Sequence, residues 1–206
     1  MRKFPKTRQE EFRLFKKLST PEKIQDFLDT LPINFEDTCR SPLETLRAGV
    51  AQCMEGAMLA SAALWYHGKP PLLLDLKTLD HDESHVVALF KHGGYWGAIS
   101  KTNHAVLRYR DPVFKTTREL ALSYFNEYFL DDGSKTLESF AGPFNLLRYG
   151  DSWLTAAEPL DTIVDDIDHA QHIPIVPRKL QRKLRKADSI EISAGKIVEW
   201  KRRDKN

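Results

Sequence analysis

The chain has 206 residues, of which 41% are hydrophobic and 29% charged, and its formal net charge is +2. This length and composition are typical of one globular domain whose core needs neither disulfides nor a structural metal. The near-balanced charge argues against a chain built as a whole to bind nucleic acid or an anionic membrane.

Cysteine usage and hydropathy indicate the compartment. Cys39 and Cys53 are the only cysteines, too few for a secreted disulfide scaffold. Residues 1–17 lack the apolar segment of a signal peptide, and no apolar stretch approaches the ~20 residues of a membrane span. We therefore expect a cytoplasmic protein without membrane segments.

Two helix-start signals precede Cys53. Ser19 or Thr20 can cap a first helix, and Ser41 and Gly49 mark the start and stop of a shorter second one. Residues 1–18 form a polar, basic lead-in that we expect to be partly helical.

The segment "AQCMEGAMLASAALWYHGKPPLLLDL", residues 51–76, predicts a buried helix and then a buried strand. The helix begins near Cys53 and stops at Gly68. "HVVALF" and "YWGAIS", which flank "KHGG", predict a hairpin that begins at His85. This order of elements predicts an α+β fold in which the central helix packs on an antiparallel sheet and other helices flank it.

Three further elements are expected towards the C-terminus. Residues 116–130 predict an amphipathic helix, and the basic run 177–186 predicts a surface helix docked on the body. Residues 189–201 predict a second hairpin. We expect residues 1–206 to form a single domain, and we do not expect the basic run to bind nucleic acid because it has no aromatic or groove companion.

The chemistry of the chain centres on Cys53 and His85. A helix start lowers the pKa of a thiol, and an imidazole beside it can take the thiol proton. Taken alone, Cys53 is explained as simply by packing within the helix, and His85 as simply by a surface position at a strand end. Together they predict that Cys53 Sγ lies within hydrogen-bond reach of a His85 nitrogen and that the thiol is partly ionised at neutral pH. The small residues Gly56 and Ala57 should leave room for a substrate beside the thiol.

Two acidic stretches are weaker candidates. Residues 79–85 and 161–172 gather aspartate, glutamate and histidine, which are possible metal ligands. Neither stretch has a spacing that fixes a ligand set, so we expect solvated loops or helix ends and no metal.

The pattern "AQCMEGAMLASAAL … HVVALF … GGYWGAIS", within residues 40–115, resembles the core of the transglutaminase-like superfamily, whose fold is related to papain-like thiol proteases. The resemblance implies that Cys53 is the nucleophile and His85 the general base and acid. It also implies acyl transfer on a peptide or small amide substrate, without a cofactor.

The third catalytic position departs from that family. The resemblance implies an acidic residue at the end of the second hairpin strand, and this slot falls on Ser100. Ser100 or Asn103 can orient the imidazole, with Asp111 as a third choice that requires the chain to fold back. The sequence leaves open which of these residues orients His85, whether the reaction is hydrolysis or transamidation, and what the oligomeric state is. The alternative function is a binding module with the same fold and a degenerate catalytic site.

Overall fold

The structure is a computed structural model that describes residues 2–79, 81–181 and 183–201. Three helices precede a run of four strands, and every strand pairing in the sheet is antiparallel, so the predicted α+β class is confirmed. The helices are α1 (Pro21–Thr30), α2 (Pro42–Ala48), α3 (Cys53–Tyr66), α4 (Thr117–Tyr124), α5 (Asp161–Asp168), α6 (Arg178–Gln181) and α7 (Ser189–Gly195). The strands are β1 (Leu72–Thr78), β2 (His85–His92), β3 (Tyr95–Ile99), β4 (Arg110–Phe114), β5 (Leu137–Asn145) and β6 (Ile173–Pro174).

The six strands form one sheet in the order β4-β3-β2-β1-β5-β6. Alternate residues of each strand face opposite sides, which divides the core in two. Leu73 and Val86 belong to the cluster that contains α1, α3 and α5, whereas Leu74 and Val87 pack with α4. The predicted packing of the central helix on the sheet is confirmed, with α3 lying mainly against β2.

Helix α3 begins at Cys53 because the residues around it complete a capping box. The Gln52 side chain accepts a hydrogen bond from the Met54 N–H (2.7 Å), and the Glu55 carboxylate accepts one from the Gln52 N–H (3.1 Å). Every residue from Met54 to Trp65 is buried, so the alanines allow neighbouring elements to approach closely. The predicted start of this helix is confirmed.

The caps of the first two helices are also confirmed. Thr20 accepts a hydrogen bond from the Lys23 N–H at the start of α1, and Ser41 accepts one from the Glu44 N–H at the start of α2. Gly49 ends α2 with a φ of 66°, a left-handed conformation that glycine adopts without steric cost.

The C-terminal predictions are wrong in part. Residues 189–195 form helix α7 instead of a hairpin strand, because Asp188 and Glu191 make a capping box at its start. The expected basic helix is reduced to the four residues of α6, and Leu180 is 44% exposed instead of docked. Arg182 of that run lies outside the described residues.

Two other elements are shorter than expected. The helix predicted over 116–130 ends at Tyr124, and a 3-10 turn covers 125–127. The N-terminal lead-in holds two 3-10 turns, at Lys6–Arg8 and Arg13–Lys16. Within the described part of the chain, no helix has the length and apolar character needed to cross a membrane.

Candidate functional site

Cys53 stands where two cavities meet. It is half-buried at the first position of α3. An open cleft of about 1650 Å³ lies on one side and a smaller cavity of about 450 Å³ on the other. The first N–H groups of a helix have no intrahelical partner, and the Cys53 N–H finds none elsewhere among the described residues. A helix-start N–H beside a thiol can stabilise an oxyanion.

The environment of the Cys53 sulfur favours the neutral thiol. Burial raises the pKa of Cys53, and the backbone N–H groups of Val86 and Met54 oppose that rise only in part. The carboxylates of Glu83 and Asp75 raise the pKa further. Desolvation therefore acts against the partly ionised thiol that the sequence predicts, and the helix start offsets it only in part.

Glu55 fixes the loop that borders the thiol. Its carboxylate is fully buried and accepts hydrogen bonds from Asn34 Nδ2 (3.0 Å), Thr38 Oγ1 (3.0 Å) and the Arg40 N–H (3.1 Å). The Gln52 side chain donates to the Thr38 carbonyl (2.9 Å), so its amide positions this loop. The wall of the cleft on this side is thus held by the same residues that cap α3.

His85 is anchored through one ring nitrogen. Its Nε2 lies 2.8 Å from Ser100 Oγ, and that hydroxyl donates its only proton to the Leu107 carbonyl at 2.6 Å. Nε2 must therefore carry the hydrogen and donate to Ser100, which leaves Nδ1 with its lone pair. Gln25 of α1 clamps the Ser100 backbone at both its N–H (2.9 Å) and its carbonyl (2.8 Å).

The imidazole of His85 is neutral at rest. Burial lowers its pKa to about 4, and the nearby charges of His104 and Arg110 lower it in the same direction. Ser100 cannot compensate as a carboxylate would, because a hydroxyl carries no charge. His85 and Cys53 line the same cleft, but no hydrogen bond joins them within the described ranges, contrary to the expected direct contact.

The structure brings Ser100 to His85 but not the other two candidates. Asn103 exchanges two hydrogen bonds with the backbone of Trp200, at 2.9 and 2.8 Å, so its amide holds the C-terminal segment. Asp111 is exposed on β4. Asn103 and Asp111 are therefore not the orienting partners of His85 in this structure.

Gly56 does not leave room for a ligand, contrary to expectation. A Cβ on Gly56 would lie 2.4 Å from the Cβ of Lys101. The buried Lys101 side chain crosses α3 there and donates to the carbonyls of Leu28 (3.0 Å) and Leu31 (2.5 Å), which caps the end of α1.

Within the described part of the chain, the acidic stretches hold no recognisable metal centre. Among the described residues, no group of three or more histidine, cysteine, aspartate or glutamate side chains is arranged to hold a metal ion. Asp80, which belongs to the first stretch, lies outside the described residues. The second stretch forms α5 and borders the smaller cavity instead.

Two buried polar side chains at the site gave no signal in the sequence. Tyr128 lines the open cleft, and its buried hydroxyl has no partner among the described residues. Burial raises the pKa of Tyr128 well above 10, so it remains a neutral donor. Asp75 sits in the smaller cavity and is 2% exposed. Both lie in apolar runs that the sequence explains as core.

Comparison with known proteins finds a distant structural similarity. No family model and no curated protein matches the chain. Two solved structures of Legionella pneumophila LapG, one EGTA-treated and one calcium-bound, are similar at 18% identity and a TM-score of 0.36. The matches cover 48% and 49% of this chain and 64% and 66% of the LapG chains, so the chain spans less than two thirds of their length.

Proposed function

We propose that the chain has a transglutaminase-like core and acts as a thiol enzyme of acyl transfer, with Cys53 as nucleophile, His85 as general base and Ser100 as the residue that orients His85. The observation that carries the proposal is the hydrogen-bond chain from His85 Nε2 through Ser100 Oγ to the Leu107 carbonyl. This chain leaves the Nδ1 lone pair free of Ser100, and His85 lines the same cleft as Cys53.

The proposed step begins from a neutral pair. The Cys53 sulfur attacks a substrate carbonyl while its proton passes to His85 Nδ1, directly or through one water. The C–N or C–O bond to the leaving group then breaks, and the imidazolium gives its proton to that group. A thioester on Cys53 remains, and water or an amine resolves it, so the same site serves hydrolysis or transamidation of a peptide or small amide.

Two donors suit the oxyanion of this step. Among the described residues, the Cys53 N–H at the helix start has no hydrogen-bond partner, and neither has the neutral hydroxyl of Tyr128, a residue that lines the same cleft. Donors held in place before reaction stabilise the developing charge most effectively.

A binding module without catalysis is the alternative. The raised pKa of Cys53, the pKa of about 4 at His85 and the uncharged Ser100 favour it, because they disfavour a thiolate–imidazolium pair. Under this alternative the cleft binds a peptide, and Cys53 is a packing residue.

The activated ester p-nitrophenyl acetate separates the two functions. On the proposed function, p-nitrophenol is released in a burst close to one equivalent per chain, followed by slower turnover. Cys53→Ala and His85→Gln remove the burst, whereas Cys39→Ser keeps it, since burial raises the pKa of Cys39 to about 12. A burst that survives Cys53→Ala, or the lack of any burst in the native chain, would favour the binding module.

A further inference from the structure

The smaller cavity beside Cys53 contains a buried carboxylate. We name it the acidic cavity; its volume is about 450 Å³ and it is bordered by β1, β2 and α5. Asp75 of β1 is its most buried carboxylate, at 2% exposure. Val86, Val164 and Ile167 supply apolar lining. Three exposed carboxylates also line the cavity, those of Asp37, Asp161 and Asp168.

The two carboxylate oxygens of Asp75 differ in their contacts. Asp75 Oδ2 lies 2.7 Å from His172 Nε2, while Oδ1 is buried and unpaired among the described residues. The Nδ1 of His172 lies 2.7 Å from the Ala170 carbonyl, which can only accept, so both nitrogens of His172 carry hydrogens when Asp75 is ionised. The hydrogen bond to Asp75 raises the pKa of His172 accordingly.

An unsatisfied buried carboxylate oxygen is costly and points to a missing donor. His172 bonds Asp75 Oδ2 and the Ala170 carbonyl, so it has no N–H left for Oδ1. No lysine, arginine or histidine is among the described residues that line the cavity. The Lys77 ammonium near His172 donates to the Asp168 carbonyl at 3.1 Å. Even when His172 is charged, the cavity keeps an excess of negative charge from the three exposed aspartates.

We propose that the acidic cavity binds the alkylammonium group of a substrate, with the ammonium on Asp75 Oδ1 and the alkyl stem against Val164 and Ile167. A cavity that combines apolar lining with a buried carboxylate matches a primary amine on a short carbon chain. Because Cys53 borders the cavity, this inference rests on the proposed function and names the class of substrate beside the thiol.

The native thiol reports the charge of its surroundings. Methanethiosulfonate reagents of similar size differ in charge: aminoethyl is cationic, sulfonatoethyl anionic and methyl neutral. Each transfers its thio group to Cys53 with release of methanesulfinate. We expect the cation-to-anion ratio of rates at Cys53 to exceed the ratio for free glutathione by about tenfold, since a cleft lined by one charge sign concentrates the opposite ion.

Two variants test whether Asp75 causes the preference for the cationic reagent. Asp75→Asn keeps the shape of the side chain and should reduce the ratio at Cys53 several-fold. Asp165→Asn removes the same charge from an exposed position of α5 that does not line the cavity, and should leave the ratio unchanged. Peptide mapping separates Cys53 from Cys39, and circular dichroism checks that each variant is folded. A ratio that is equal to that of glutathione, or one that Asp75→Asn does not alter, overturns the proposal.

An amine-binding assay on a variant without the thiol tests this proposal independently of the proposed enzyme function. In the Cys53→Ser variant, n-butylamine and Nα-acetyl-lysine methylamide should bind saturably at millimolar concentration, and Asp75→Asn should abolish binding. Tighter binding of the blocked lysine assigns the cavity to a peptide side chain, and equal binding assigns it to a free amine. Lack of saturable binding overturns the proposal. A thiol that is inert to all three reagents refutes the proposed function only, because this arm still decides the cavity.

Discussion

Ser100 Oγ accepts a hydrogen bond from His85 Nε2 at 2.8 Å, and this contact replaces the charged one that the resemblance implies. The imidazole is therefore oriented but not stabilised as a cation, which agrees with its pKa of about 4. The raised pKa of Cys53 and the lowered pKa of His85 both favour the uncharged forms of two residues that line the same cleft.

Restoring a charge at this position should restore an ion pair. Ser100→Asp places a carboxylate beside Nε2, which raises the pKa of His85 and favours proton transfer from Cys53. We expect iodoacetamide to alkylate Cys53 about tenfold faster at pH 7 than in the native chain, with the pH profile displaced to lower pH. Ser100→Asn is the neutral control. Matching profiles for the Asp and Asn variants would show that Cys53 does not sense His85.

His85 should make the fold sensitive to mild acid. Its pKa is lowered from 6.5 to about 4 on folding, so the unfolded chain binds the proton more tightly. The His85 contribution is present above pH 6.5 and is lost as the pH falls to 4, by roughly 3 kcal/mol. His85→Gln keeps a donor for Ser100 and should flatten the pH dependence of the free energy of unfolding over this range. Parallel urea-denaturation curves for the two proteins at pH 4 and pH 7 would contradict the burial of a neutral His85.

The helices and the hairpin could be predicted because their signals are local. Ser41, Gly49 and the box formed by Gln52 and Glu55 fix helix ends within a few residues of themselves. The same local logic failed at residues 189–195, which the sequence predicts as part of a second hairpin. There the cap of Asp188 with Glu191 decides the structure.

The site depends on contacts between distant parts of the chain, which the sequence does not reveal. Asn103 bonds Trp200, 97 residues away, and Asp75 bonds His172, also 97 residues away. Both pairs need the folded sheet to bring them together. The pKa of Cys53 likewise depends on a helix start that is local and on burial that is not.

Gly56 gives a test in which the sign of the effect is informative. Helix propensity alone predicts that Gly56→Ala stabilises α3 by about 1 kcal/mol. A Cβ there would lie 2.4 Å from the Lys101 Cβ, so we expect a loss of roughly 1–3 kcal/mol by overpacking. Urea denaturation at pH 7 measures it. A gain in stability would mean that Lys101 does not cross α3 as described.

A substitution of Asn103 tests whether this residue anchors the C-terminal segment or takes part in catalysis. Asn103→Ala removes both hydrogen bonds to Trp200, so hydrogen exchange should accelerate in residues 189–200. The burst with p-nitrophenyl acetate should keep its amplitude, because Asn103 does not contact His85. Loss of the burst together with unchanged exchange would return Asn103 to the catalytic group.

The central claim is that Cys53 becomes acylated with the help of His85, and the acyl-enzyme itself tests it most directly. The native chain and His85→Gln are mixed with p-nitrophenyl acetate, quenched in acid and mapped by mass spectrometry. We expect one acetyl group on Cys53 that hydroxylamine removes, none on Cys39, and at least a hundredfold slower acetylation in His85→Gln, the lower range for a general base. Acetylation of Cys53 at the same rate in both proteins, or at Cys39 as readily as at Cys53, would contradict the proposed Cys53–His85 site.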